Sequence, residues 1–453
     1  MSCAAVVGLV VMPAGVATAK PIATPADFNG DGFADLVIPA PAAKVGKAEG
    51  AGAVVVMYGA PQGVSVTRKA VITQNTAGVP DTAEAEDLFG SSTAYADLDK
   101  DGFSDLIVGT PDEDLTGAVD AGLVTVLWGG RSGLAAASTL PVPKVTRGRY
   151  GLDVAAVPDS GGPRVLVGGY DGAMEFSGTF KRNGSVSTKA RIDFGPSVAV
   201  ADFADTNRDG RAERITTTVR LGGRTGGLVY VDPDWDRPHL PLDGTTTAVG
   251  DVNGDGYQDL VIGDPDEPAG GTNAHLGGEI SLWYGGRDGL TAVSARISQD
   301  SAGVVGTSAR YNAFGAAVAV ADLNRDGLGD IVVGVPGQAV SGKANAGAVV
   351  VIPGRKTGTP GAGSYQLTQD TASVPGVSEP GDGFGHTLAV GDVKVDGRPD
   401  LIVGAEGEDS FRGGLWVLPG SATGPTGTGS VRLTAGALGV TGTLPRVGGV
   451  LPF

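Results

Sequence analysis

Oxygen-bearing side chains recur at positions one, three, five and nine of a short phrase, Asp-x-Asn-x-Asp-Gly-x-x-Asp. Its clearest copy places Asp251, Asn253, Asp255 and Asp259 around Gly256 and leads into Leu260-Val261-Ile262-Gly263. Four such side chains converge only if the backbone turns sharply, and Gly256 permits that turn because it has no Cβ to clash. Convergent carboxylates repel one another unless a cation lies between them. A hard, oxygen-preferring ion that tolerates irregular geometry suits such a loop, so calcium is expected rather than magnesium, which holds its waters. Tyr257, at position seven, joins the set through its main-chain carbonyl.

The phrase is repeated along the chain. The first copy offers Asp27, Asn29, Asp31, Phe33 and Asp35, and the second Asp97, Asp99, Asp101, Phe103 and Asp105. The sixth offers Asp322, Asn324, Asp326, Leu328 and Asp330. The fourth, with Asp205, Asn207, Asp209 and Arg211, ends on Glu213 and so is altered but usable. The seventh keeps Asp392, Asp396 and Asp400 but has Lys394 at position three. A lysine there has no lone pair to give and repels the ion, so that loop is expected to bind weakly or not at all. A third copy at residues 158–162 keeps its flanking strands and has lost its carboxylates. One copy alone could be an ordinary Asx turn; five well-formed copies that keep the ninth acid point to about five calcium sites. EF-hands are excluded, because their twelfth residue is Glu whereas here it is Ile38, Val108 or Ile262, and because the flanks are β-type.

Val-rich runs of strand length, bounded by Gly, Pro, Asp and Asn, position these loops. A further strand ending in a glycine turn follows each well-formed loop, as in residues 53–59, 123–129 and 280–285. Trp128, Trp283 and Trp416 read as lying at equivalent strand ends, where packing between repeats accounts for them. The copies start near residues 27, 97, 158, 205, 251, 322 and 392, so the repeat length is 46–71 residues. Seven several-stranded units of this length predict an all-β fold, a seven-bladed β-propeller over residues 20–453.

Composition agrees. The 453 residues include 77 glycines, 6% aromatics and 41% hydrophobic residues, which suits many short strands and tight turns. A net charge of −17 argues against nucleic-acid binding. Nineteen of the acids occupy loop ligand positions, so the acidity reads largely as a metal signature. Residues 4–16 form a short apolar run that ends in Ala17-Thr18-Ala19, an A-x-A cleavage pattern. Residues 1–19 are therefore expected to be a signal peptide, truncated at its start because no basic region precedes the run. The chain is expected to be secreted or extracellular, without a membrane span, and monomeric. Cys3, the single cysteine, would be lost with the signal.

Phe-Gly, then the loop, then Gly-x-Pro recurs as Phe89-Gly90 with Gly109-Thr110-Pro111 and as Phe314-Gly315 with Gly334-Val335-Pro336. Phe384-Gly385 and Phe194-Gly195 precede two further loops. This arrangement resembles the FG-GAP repeat, which builds the seven-bladed propeller at the head of integrin α subunits and occurs in secreted bacterial proteins. The resemblance implies calcium-rigidified loops between two strands of a blade, with partners bound mainly on the opposite face. It also implies that residues 446–453 pair with the first blade to close the ring.

Three function classes follow. The leading one is a secreted, calcium-binding module for a protein or carbohydrate partner, adhesion-like and without catalysis. The second is an extracellular hydrolase or lyase with its site in the propeller channel, and the third a structural cell-surface protein. His239, His275 and His386 have no triad or metal spacing, and no G-x-S-x-G, H-E-x-x-H or P-loop motif is present.

Overall fold

Each acidic loop after the first joins two antiparallel strands, and a third strand pairs with the second; the first loop leads into the strand Leu36–Ala40. The computed structural model describes residues 26–449 apart from 193–197, 219–226, 232–238, 269–273 and 292–294. Within them the strands form seven antiparallel sheets in chain order, the blades of a β-propeller. Blade 2 is representative, with Ser92–Ala96, Asp105–Thr110, Leu123–Trp128 and Ala136–Thr139 in sequential order. Blades 3, 5, 6 and 7 are also four-stranded; blades 1 and 4 show three strands among the described residues. The signal-type segment 1–19 and Phe194-Gly195 lie outside the described residues.

The second strand of a blade has neighbours in its own sheet and in both flanking blades. Asp105–Thr110, Asp259–Asp264, Asp330–Val335 and Asp400–Ala405 are accordingly buried at every position. This explains why they read as unbroken apolar runs rather than as alternating ones. The buried apolar side chains fall into seven clusters, one in each gap between adjacent blades. Phe28, Val54, Phe89 and Leu106 fill the gap between blades 1 and 2. Val349, Phe384, Leu401 and Trp416 fill that between blades 6 and 7. Leu36, Val55, Ile402 and Val417 fill the gap between blades 7 and 1. The ring is closed.

The Phe-Gly pairs act as pegs between blades. The Phe89 N–H donates to the Ala51 carbonyl of the preceding blade at 3.0 Å, and its ring is fully buried. Gly52, at φ +90, lies so close that a Cβ there would stand 2.2 Å from the Phe89 carbonyl oxygen. The same parallel bridge forms between Gly278 and Phe314, between Gly347 and Phe384, and between Gly413 and Val447. Val447 thus takes the phenylalanine's place at the last junction and bridges blade 7, not blade 1 as the sequence implied, and residues 450–453 of that expected pairing lie outside the described residues. Just before Val447, the chain docks on blade 1, where the Lys44 N–H donates to the Thr441 carbonyl at 2.7 Å and Lys69 Nζ to the Ala437 carbonyl at 2.6 Å.

One sequence reading is corrected. All three tryptophans are buried, but they do not occupy equivalent positions. Trp283 pairs with Leu260, the residue after the ninth loop acid. Leu127 and Leu418 hold that register in blades 2 and 7, so Trp128 lies one residue beyond it and Trp416 two residues before it. Each ring fills whichever gap its own blade pair leaves.

Closure by the docked segment has a direct consequence. Deleting residues 440–453 removes buried Val440 and Val447, each worth about 1.5–3 kcal/mol of burial. The melting temperature is expected to fall by several degrees, and an unchanged value would show that the ring closes without this segment.

Candidate metal centre

Each loop is a succession of turns in which side-chain oxygens collect backbone N–H groups. Asp251 Oδ1 accepts from Gly254 at 2.7 Å and Asp255 at 3.1 Å, and its Oδ2 accepts from Gly256 at 2.7 Å. Asn253 Oδ1 accepts from the Asp255 N–H at 2.8 Å, and Asp255 Oδ1 from the Tyr257 N–H at 2.9 Å. The loops at Asp27, Asp205 and Asp322 repeat the pattern with Asn29 and Asp31, Asn207 and Asp209, and Asn324 and Asp326. Phe33, Arg211 and Leu328 occupy the position of Tyr257, each donating its N–H to the position-five carboxylate.

The ninth acid has a role that spacing alone did not reveal. Asp259 Oδ2 accepts the Val252 N–H of its own loop at 2.8 Å, and Oδ1 accepts the Gly285 N–H past the third strand at 2.9 Å. Asp35 holds Phe28 and Gly59 in this way, Asp105 holds Leu98 and Gly129, and Asp330 holds Leu323 and Gly354. Asp400 holds Gly420 and the Lys394 N–H. The sequence signal was the glycine after the third strand, whose N–H is the second donor. Burial, and then the loop's other carboxylates, push Asp105 and Asp259 up to about 7 and Asp35, Asp330 and Asp400 to about 6. Glu213, one methylene longer, turns back on its own loop and accepts from the Thr206 N–H, Thr206 Oγ1 and Asn207 Nδ2.

The second loop is the most acidic. Carboxylate oxygens of Asp97, Asp99 and Asp105 lie within 4.8 Å of one another, the only such trio among the described residues. Asp99 Oδ1 is buried there without a hydrogen-bond partner. Arg182, from the outer hairpin of blade 3, donates to Asp99 Oδ2 at 2.7 Å and Asp101 Oδ2 at 2.5 Å, and leaves Oδ1 free. An unsatisfied buried oxygen among three carboxylates suits a hard cation. In the seventh loop, Asp392 and Asp396 keep their turns, but Lys394 Nζ reaches out to the Gly429 carbonyl at 3.0 Å. Position three therefore contributes no oxygen. The third copy is a two-residue hairpin turn, with Asp159 paired to Gly162 across it and ion-paired to Arg164 at 2.8 Å.

The loops touch around one face of the ring. The Ser104 N–H donates to the Asp27 carbonyl at 3.0 Å, the Gly329 N–H to the Asp251 carbonyl at 2.6 Å, and the Asp205 N–H to Gln258 Oε1 at 2.6 Å. The central channel holds a cavity of about 200 Å³ lined mainly by Val, Ala and Leu, with Asp35 and Asp202 as its acids. Asp153 and Asp202, on neighbouring inner strands, accept the Ala201 and Phe203 N–H groups. Burial pushes them up to about 7 and about 6 respectively. The histidines stay apart, His275 at 3.6 Å from Asp300 and His386 at 3.7 Å from Glu406. No helix among the described residues is long and apolar enough to cross a membrane.

The sequence matches the FG-GAP repeat over residues 22–57, 89–127, 244–276, 314–352 and 384–433. These are blades 1, 2, 5, 6 and 7; the unmatched blades carry the two-residue turn and the Glu213 loop. Phosphatidylinositol-glycan-specific phospholipase D of Bos taurus is 33% identical over 168 residues, 37% of this chain and 19% of that protein. Integrin alpha-8 of Homo sapiens is 37% identical over 229 residues, 47% of this chain and 20% of that protein. Integrin alpha-IIb of Homo sapiens is 33% identical over 230 residues, with the same two shares. The matched region thus spans about a fifth of the length of these relatives.

Two outcomes are expected. Asp259→Ala in excess EDTA leaves the Val252 and Gly285 N–H groups without acceptors, at about 1–3 kcal/mol each. It should therefore melt below the metal-free parent; an equal melting temperature would reduce Asp259 to a metal ligand. The second concerns pH. Asp153 and Asp202 have folded pKa values above the unfolded Asp value of about 3.9. The folded state thus holds more protons from about pH 4 to 7, and the stability they give is lost as pH rises through that window. In millimolar calcium, Asp153→Asn/Asp202→Asn should lose less melting temperature than the parent between pH 5 and 8, and equal losses would count against this assignment.

Proposed function

The chain is a seven-bladed β-propeller of FG-GAP repeats, and from that premise we propose a secreted, calcium-binding interaction module. It holds a protein or glycan partner and does no chemistry of its own. The observation that carries the calcium reading is the buried, partnerless Asp99 Oδ1 among the carboxylates of Asp97 and Asp105. Asp97, Asp99, Asp101 and Asp105 would hold the ion in that loop, and the same positions from Asp27, Asp205, Asp251 and Asp322 would hold four more. The ion would supply positive charge that offsets the burial, and then the repulsion, raising the ninth acid. The chain's own residues do the rest: the ninth Asp ties the loop to the third strand, and the position-one Asp fixes the turn.

An interaction role is supported by the repeat itself and by the similarity to integrin alpha-8 over nearly half of the chain. Secretion is supported by the apolar run and Ala17-Thr18-Ala19. Asp202, which lines the channel with a raised pKa beside Asp153 on the neighbouring inner strand, favours the second reading, an extracellular hydrolase or lyase. Against it, the channel wall is mostly aliphatic and Asp202 is held by Phe203 and Thr247.

Thermal unfolding in excess EDTA and then in millimolar calcium tests the proposal, with bound ions counted in parallel. Ligand bound only by the folded state stabilises it by RT ln(1 + [L]/Kd) at each site. A rise of many degrees with about five ions, unchanged by Lys394→Ala, is expected. No rise and no bound calcium would remove the metal reading. Glycan-array and pull-down binding then find the partner, and polysaccharide turnover abolished by Asp202→Asn would establish the enzyme instead.

A further inference from the structure

On the face opposite the acidic loops, three blade junctions repeat one arrangement of three polar side chains. The first is a glutamine beyond the outer strand, the second stands two residues before the Phe-Gly phenylalanine or its equivalent, and the third lies in the turn after the second strand. Between blades 5 and 6 they are Gln299, Asn312 and Gln338; between blades 6 and 7, Gln369, Asp382 and Glu408; between blades 1 and 2, Gln74, Asp87 and Glu113. The first and third members are 39 residues apart in every case.

The junction between blades 5 and 6 is neutral and satisfied. Asn312 Nδ2 donates to Gln299 Oε1 at 2.7 Å, Gln299 Nε2 to Gln338 Oε1 at 2.7 Å, and Gln338 Nε2 to Gln366 Oε1 at 2.9 Å. Between blades 6 and 7 the Asn and the third Gln become acids. Gln369 Nε2 still donates to Glu408 at 2.6 Å, and Arg432 ion-pairs with Glu408 at 2.6 Å. Between blades 1 and 2 the same two acids appear without the arginine. Gln74 Nε2 donates to Glu113 Oε2 at 2.5 Å. Asp87 stands where Asn312 stands, accepts the Glu84 N–H at 2.5 Å and has no N–H of its own to give, so Gln74 Oε1 is left buried with no partner, as Gln369 Oε1 is. Gln74, Asp87 and Glu113 are 1%, 3% and 1% exposed, and no described Lys or Arg is ion-paired with either acid. The exposed carboxylates of Asp81 and Glu84 add negative potential.

Buried charges without a counter-charge are strongly unfavourable, even where each carboxylate accepts one hydrogen bond as Asp87 and Glu113 do. Amides satisfy every group at one junction, and at the next an arginine offsets the charge while Gln369 Oε1 stays unpaired; between blades 1 and 2 both the charge and the oxygen are left unmet. We propose that the junction between blades 1 and 2 is a site for a hard divalent cation, bound by Gln74 Oε1 and the carboxylates of Asp87 and Glu113. Such an ion satisfies all three groups together, and oxygen ligands of mixed charge suit calcium. Burial, followed by neighbouring acids, pushes Glu113 up to about 8 and Asp87 to about 6 without the ion. The site is separate from the nine-residue loops and lies at the other end of the blades.

Asp87→Asn/Glu113→Gln copies the satisfied amide triad of blades 5 and 6, so it is expected to fold. Calcium bound per full-length chain at pH 7.5, counted after equilibrium dialysis, should fall by one ion, with an unchanged circular-dichroism spectrum. Asp97→Asn/Asp99→Asn, in the second loop, should remove a different single ion, and the two losses should add. Asp87→Asn alone, which restores the donor to Gln74 Oε1, is the second variant should the double change not fold. A parental ion count in Asp87→Asn/Glu113→Gln, with the loop variant still losing one, would overturn this site and leave the loops standing. No calcium on the parent chain would overturn both.

Discussion

One buried carboxylate in each of five blades carries much of the local architecture. The ninth loop residue accepts one N–H from its own loop and one from the glycine that ends the third strand, so three segments of a blade meet at two oxygens. Asp35, Asp105, Asp259, Asp330 and Asp400 all do this. The strand that begins at this residue is buried on both faces, and its register follows from the clamp. Where the acid becomes Glu213, the side chain folds back on its own loop.

Charge then has to be managed at both ends of the blades. On the loop face, acids crowd together, and chain-borne cations take part of the load: Arg182 on Asp99 and Asp101, and Arg68 on Asp31. On the opposite face, the blade junctions solve one problem with amides, with arginine, or with neither. A protein with a net charge of −17 is held together partly by where its few cations are placed.

Much of this was legible in the sequence, for identifiable reasons. Loops and strands are local: the turn residues and the apolar runs beside them are contiguous, so Asp251 to Gly263 announces its own structure. Phe-Gly was visible as a recurrence, and its burial followed. What could not be read were contacts between distant segments. The Asp259–Gly285 bond crosses a strand and a turn, and Arg182 reaches back over 83 residues to Asp99. The tryptophans were placed as equivalent because each precedes a turn glycine, but register is set by pairing with the neighbouring strand, and the three differ. The Gln-Asp-Glu junction was missed because its members are spread across 39 residues and two blades.

The docking of residues 437–443 onto blade 1 also bears on the order of events during synthesis. Thr441 hydrogen-bonds Lys44 across 397 positions of chain. Most contacts within a blade join neighbours in sequence, so the middle blades can assemble as the ribosome delivers them. Blade 1 cannot be completed in this way. Its flank toward blade 7 stays uncovered until the distant segment has been made, and at about 5–20 residues per second that interval is tens of seconds. The earliest blade to emerge is therefore the last to be finished, and its uncovered Leu36, Ile38 and Val55 are the surface most in need of protection from aggregation while the ring waits to shut.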